Sequence, residues 1–141
     1  MTKKYDVAIV ACIMDMTHAG HIELLKLMRK MAKETWLFLH DDKSAYLLKN
    51  KFPVQSFEHR RKNLMSIGLV DSVIKVYDVD PGGYFEFELK NSPEKSFVYV
   101  LGDDTEEWPG KKVIEKYKVP IIYKKYTEGV SSTKLRGKLN K

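Results

Sequence analysis

Five short runs of apolar and β-branched residues punctuate the chain, and the segments between them are long enough to hold helices. Asp6–Cys12 is apolar on successive positions, as a strand covered on both faces must be. Thr35–His40, Ser72–Tyr77, Phe97–Leu101 and Pro120–Tyr123 follow at intervals too long for hairpin turns. Strands that alternate with helices predict an α/β fold, a three-layer sandwich around a central, mainly parallel five-stranded sheet. The crossovers of such a sheet are right-handed, and its ligands bind beyond the carboxyl ends of the strands where the strand order reverses.

The helices have their own signals. From Ala19 to Lys33 the apolar positions Leu24, Leu25, Met28, Met31 and Ala32 share one side. Residues 41–55 read as part helical turn and part loop, ended by Pro53. Ser56 is placed to cap a helix that runs to Ile67, with Glu58 in its first turn. Tyr84–Asn91 alternates like a strand, but its place between two strands predicts a crossover helix. Lys111–Tyr117 and Thr133–Asn140 read as short helices. Nothing divides the chain, so residues 1–141 form a single domain.

Composition narrows the function classes. Hydrophobic residues make up 43% and charged residues 31%, which fits a packed core and excludes wholesale disorder. The one cysteine, Cys12, forms no intrachain disulfide and suits a reducing compartment. The opening lysines and apolar run imitate a signal peptide, but Asp6 interrupts them and no small-residue cleavage site follows. No stretch reaches membrane-spanning length. A cytoplasmic protein without a membrane partner is expected. The net charge is +6 and the pI about 9.2, which suits an anionic ligand. The lysines are scattered and form no stripe, so small phosphorylated ligands rank above nucleic acid.

The chemistry concentrates at seams between strands and helices. His18 and His21, with Gly20 between them, open the helix that follows the first strand. Free backbone amides and the positive end of the helix dipole point to the same place, which makes a site for a polyanion. The bland alternative is that one imidazole caps the helix and the other packs. A zinc site lacks ligands at the right spacing, since Cys12 is alone and His40 and His59 stand apart. Arg60 shares a helix face with Phe57, Leu64 and Ile67. Its head reaches an anion, reaches a carboxylate at the helix end, or simply snorkels to solvent. Gly129 and the hydroxyls of Ser131, Ser132 and Thr133 precede the last helix and either cap it or cradle phosphate, with Arg136 one turn in. Lys49 and Lys51 lie after the second strand, placed to close over phosphates or to be solvated. Gly102 and Asp103 end the fourth strand, in a turn or in a base and ribose pocket.

Taken together, the residues resemble the cytidylyltransferase family of the H-x-G-H nucleotidyltransferases, and most of all the small bacterial glycerol-3-phosphate cytidylyltransferases. "HAGH" at 18–21 fits the histidine signature, and "TEGVSST" at 127–133 resembles the second signature, R-T-E-G-I-S-T-T. "EHR" at 58–60, "VDSVI" at 70–74, "GDD" at 102–104 and the lysine pair 49 and 51 fall in the family's order. The likeness runs from about Asp6 to Leu139. Departures are Cys12, Ile13, Met14 and Asp15 where the family has Gly-x-Phe-Asp, Tyr126 in place of the arginine that opens the second signature, Gly68 in place of a second arginine, and about five extra residues between Asp71 and Gly102.

The resemblance implies a Rossmann-like domain that transfers CMP from CTP to a small phosphorylated alcohol such as glycerol 3-phosphate, with pyrophosphate leaving. It implies catalytic roles for His18, His21, Lys49, Lys51 and Arg60. It implies nucleotide contacts from Cys12, Ile13, Met14, Asp15, Gly20, Gly102, Asp103, Tyr126, Thr127, Glu128, Gly129, Ser131, Ser132 and Thr133. Asp15 would position His18 or a metal-bound water. Magnesium would arrive with the triphosphate, without a dedicated protein site, and the chain would be a homodimer. "VSSTKLR" also resembles the I-S-S-T-x-x-R signature of adenylyltransferases, so adenylyl transfer to a phosphosugar or cofactor precursor is the second reading. The third is a nucleotide-binding homologue with impaired catalysis.

Overall fold

In a computed structural model, residues 3–102 and 106–124 are described. The elements run β1 (Tyr5–Cys12), α1 (Ala19–Met31), β2 (Ala32–His40), α2 (Asp42–Lys49), α3 (Phe57–Ser66), β3 (Ser72–Val76), α4 (Gly82–Asn91), β4 (Phe97–Leu101), α5 (Lys111–Lys116) and β5 (Ile121–Tyr123). Their sheet has the order β3-β2-β1-β4-β5, and every neighbouring pair is parallel. The expected α/β, Rossmann-like architecture is therefore present. The chain builds outward from β1 on one side, then crosses back and builds outward on the other. Right-handed crossovers in opposite directions place α1–α3 and α4–α5 on opposite faces.

β1 and β2 are the core. Val7, Ala8, Leu37, Phe38 and Leu39 are fully buried, and α1 packs on one face of the two strands with Leu25 and Met28. On the other face Phe85 of α4 meets Phe38 and Tyr99 edge to face, with ring centroids 4.8 and 5.5 Å away.

The differences from expectation lie at boundaries. The helix predicted to Lys33 stops at Met31, because Ala32 pairs with Tyr5 and is already strand. Its amide still closes the last turn on the Met28 carbonyl. β2 thus begins at Ala32 rather than Thr35; Ala32 and Lys33 read as the end of the helix in the sequence, and pairing with β1 overrides them. Residues 42–49 form two full turns, capped by the Asp41 carboxylate on the Ser44 amide at 2.8 Å. Ser56 caps α3 through the His59 amide as expected. The alternating segment before Asn91 is helix. The helix expected at 133–140 lies outside the described residues.

Candidate active site

β1 ends at Cys12, and the loop to α1 makes two left-handed turns at non-glycine residues, Met14 (φ 47°) and Met16 (φ 52°). That loop delivers His18 as the N-cap of α1. Its Nδ1 accepts from the Gly20 amide at 3.0 Å, and the Nδ1 of His21 accepts from the His18 amide at 3.2 Å. This is a capping box in which two imidazoles take the places usually filled by Ser or Thr and Glu. The rings stack, with centroids 3.8 Å apart and planes 23° from parallel. The same rings cap the helix and line the cleft.

The cap fixes the chemistry. A neutral imidazole that accepts at Nδ1 carries its proton at Nε2, so each ring keeps one N–H for a ligand. Burial first, then the nearby charges of His18 and Lys124, push the His21 pKa down to about 4, against a smaller opposing pull from Asp15. At neutral pH His21 is an uncharged donor.

This depression has a sign that stability measurements read. The unfolded chain protonates His21 near pH 6.5 and the folded chain only near 4, so between those values the unfolded state binds more protons. Stability is therefore full above pH 6.5 and falls as pH drops toward 4. Burial lowers the His40 pKa as well and adds to the same slope. Urea unfolding at a series of pH values is expected to give that fall, and a His21→Gln variant a shallower one.

Gly20 has a different task from the one expected. It does not line the cleft. A Cβ there would sit 2.9 Å from Cε1 of His18, so glycine makes room for the histidine ring rather than for a ligand. Alanine is the better helix former by about 1 kcal/mol. Gly20→Ala is thus expected to displace His18 and lower kcat about tenfold or more, with little change in melting temperature because the lost cap offsets the helix gain, measured by steady-state assay beside a thermal melt.

The cleft holds about 770 Å³ and opens at the carboxyl end of the sheet, where the order reverses between β1 and β4. Tyr99 opens it. β1 pairs with β2 as far as Cys12 but with β4 only through Ile9 and Tyr99. Beyond that point the Ala11 amide donates to the Tyr99 hydroxyl at 3.0 Å, and the two strands part around the ring. Trp108 stacks on Tyr99 with centroids 4.4 Å apart and forms one wall. Cys12, Ile13, Met14, Asp15, His18, His21, Lys49, Lys51 and Gly102 all line the cleft. Burial pushes the Cys12 thiol up to about 12, so it serves as an uncharged wall. Asp103, Tyr126, Thr127, Glu128, Gly129, Ser131, Ser132 and Thr133 lie outside the described residues.

Two assignments change. Arg60 is fully buried and does not line the cleft. Its Nε donates to the Gln55 carbonyl at 3.1 Å, Nη1 to the Ile13 carbonyl at 2.9 Å and Nη2 to the Asp42 carboxylate at 2.9 Å. Of the fates open to an arginine in an apolar stripe, the carboxylate is the one realised, and a phosphate is not its partner. Asp15 makes no hydrogen bond to His18 among the described residues: its Oδ2 accepts from the Val54 amide at 2.7 Å and its Oδ1 from the Gln55 amide at 3.0 Å.

The sequence reading missed Tyr99 and Trp108, which look like ordinary core aromatics, and His40. His40 lines the cleft at the end of β2 and is bonded to Ser44 at 3.0 Å. Its position at a strand's carboxyl end was the available signal. Among the described residues, no three His, Cys, Asp or Glu side chains are grouped to hold a metal ion, and no helix is long and apolar enough to cross a membrane.

Comparison with known proteins agrees with this geometry. The glycerol-3-phosphate cytidylyltransferase of Staphylococcus aureus (strain NCTC 8325 / PS 47) is 34% identical over 127 residues, 89% of this chain and 88% of that protein. A FAD synthase of Thermococcus sibiricus (strain DSM 12597 / MM 739) is 31% identical over 134 residues, 88% of this chain and 87% of that one. A lipopolysaccharide core biosynthesis protein from Thermoplasma volcanium GSS1 shares the fold with a TM-score of 0.64 at 21% identity, over 87% of this chain and 99% of that one. The cytidylyltransferase-like family profile matches residues 9–138, nearly the whole chain, and the protein belongs to that family.

Proposed function

We propose that this nucleotidyltransferase moves CMP from CTP to a small phosphorylated alcohol, glycerol 3-phosphate first among them, and releases pyrophosphate. The observation that carries the reading is the stacked imidazole pair at the amino end of α1 on the cleft wall, with each Nδ1 taken by the cap and neither Nε2 bonded among the described residues. A phosphate oxygen of the acceptor forms a bond to the α-phosphorus as the bond to the bridging oxygen breaks. The acceptor phosphate is already ionised at neutral pH, so the protein's work is alignment and stabilisation of growing charge. His18 and His21 donate to the α-phosphate and bridging oxygens. Lys49 and Lys51, which line the same cleft, hold the outer phosphates. The 126–133 segment completes the triphosphate site through its hydroxyls and amides, and Gly102 with Asp103 borders the nucleoside.

Magnesium enters as the counter-ion of the triphosphate. The ion's partners are phosphate oxygens and water, in keeping with the reluctance of Mg2+ to shed water. We read the protein as cytoplasmic and as a homodimer. Supporting the dimer, Tyr77 and Phe87 are 59% and 64% exposed beside the edge strand β3. Sedimentation at micromolar concentration tests it.

Pyrophosphate release, screened with four nucleoside triphosphates against phosphorylated alcohols and sugars, tests the reaction. The expected pattern is release with CTP and a phosphorylated alcohol. The FAD synthase likeness favours one second reading, adenylyl transfer to a cofactor precursor, for which ATP would be the active nucleotide.

A further inference from the structure

Asp15 stands between the two left-handed residues of the β1–α1 loop, and its carboxylate reaches a different segment of the chain. Both oxygens are taken by consecutive amides there, Val54 and Gln55. The contact is returned, because the Gln55 side-chain carbonyl accepts from the Met16 amide at 2.9 Å. Arg60 closes the set from below by gripping the carbonyls of Gln55 and Ile13. Three direct hydrogen bonds, and a bridge of two more through Arg60, therefore strap residues 54–55 to residues 13–16.

The segment so held carries Lys51. Lys49 belongs to the last turn of α2 and is placed by that helix. Lys51 comes after Asn50, a left-handed C-cap at φ 60° where the helix ends, and no regular element holds it until α3 begins at Phe57. Its downstream anchorage is the Asp15 strap. The carboxylate thus links the histidine loop and the lysine segment, both of which line the cleft.

We infer that Asp15 is a positioning residue that sets Lys51 against the phosphates of the bound nucleotide by fixing the 54–55 backbone. This rests on the phosphate-binding role of Lys51 proposed above. Asp15 also faces His21 electrostatically, so the alternative is that it acts by its charge on the imidazole pair.

A double-mutant cycle separates the two, on the full chain, with Asp15→Asn, Lys51→Ala and the double variant. Asparagine keeps the size of the side chain but turns an NH2 toward one of the two amides. Asp15→Asn is expected to lower kcat/KM for CTP about tenfold or more, and to add less than about twofold once Lys51 is alanine, because side chains that act as one unit are not additive. Amide hydrogen exchange is expected to speed at Val54 and Gln55 in Asp15→Asn. Multiplicative losses in the double variant would overturn the inference in favour of the charge on His21. Unchanged exchange, or a lowered melting temperature with kcat/KM intact, would overturn it too. Failure of the transferase reading looks different: the wild type would then release no pyrophosphate from any nucleotide, and the role given to Lys51 would fall with it.

Discussion

Replacing His21 by alanine is expected to lower kcat about a hundred- to a thousandfold while CTP affinity changes only a few-fold. A single preorganised donor to charge that develops in the transition state contributes about 3–4 kcal/mol to barrier reduction. His21 qualifies because burial and the neighbouring positive charges keep it neutral, with the proton on the nitrogen that the cap does not use. A neutral donor holds the ground state loosely and tightens as negative charge grows on the phosphoryl oxygens, so its loss belongs in kcat. The variant also loses the group that accepts from the His18 amide, a capping loss of about 0.5–2 kcal/mol. Rapid-quench turnover and calorimetric binding of CTP check the first effect, and a thermal melt isolates the second. Equal losses in turnover and affinity would reduce His21 to a binding group.

The largest stability loss is expected from Arg60→Met. Methionine fills much of the space, but the variant leaves the carbonyls of Ile13 and Gln55 and the Asp42 carboxylate without their donor. Breaking a buried pair from one side costs about 3–5 kcal/mol. The Asp42 side chain is 45% exposed and can rehydrate, which points to the lower end, about 3 kcal/mol. For a domain of this size that is a fall of roughly 10 °C in melting temperature. Arg60→Lys is expected to rescue little of it, since one ammonium cannot reproduce a planar fork aimed at three acceptors. Urea unfolding of the two variants and of the Arg60→Met, Asp42→Leu pair checks this, the pair being more stable than Arg60→Met alone because no carboxylate is stranded. A kcat/KM that collapses in Arg60→Lys without any loss of stability would return Arg60 to the phosphates.

Local pattern made the fold legible. Five β-branched runs at crossover spacing contain the sheet, and "SFEHRR" announces the start of α3 through Ser56 and Glu58. Tertiary pairing was not legible at Ala32 and Lys33, where pairing with β1 outweighs helix-friendly residues. The imidazole pair was legible because strand, glycine and helix start converge on it within a few residues. The reason for the glycine was not, because it depends on where the His18 ring lies. Arg60 and Asp15 were visible as unusual residues, but their partners lie 47 and 40 positions away in sequence, and only the folded chain decides between phosphate, carbonyl and amide. Tyr99 was hidden for a related reason: a tyrosine inside "FVYVL" reads as core, and its hydroxyl becomes meaningful only when it takes the Ala11 amide and parts two strands.

The most direct test follows the α-phosphorus itself. CTP labelled there is incubated with the protein, magnesium and glycerol 3-phosphate, or another phosphorylated alcohol from the same panel, and the products are separated. The expected result is label in a cytidine diphosphate ester of the alcohol, matched one for one by unlabelled pyrophosphate, and lost when His18 and His21 are both alanine. Labelled CTP that binds the cleft yet returns unchanged with every acceptor, or transfer that survives loss of both imidazoles, would contradict it.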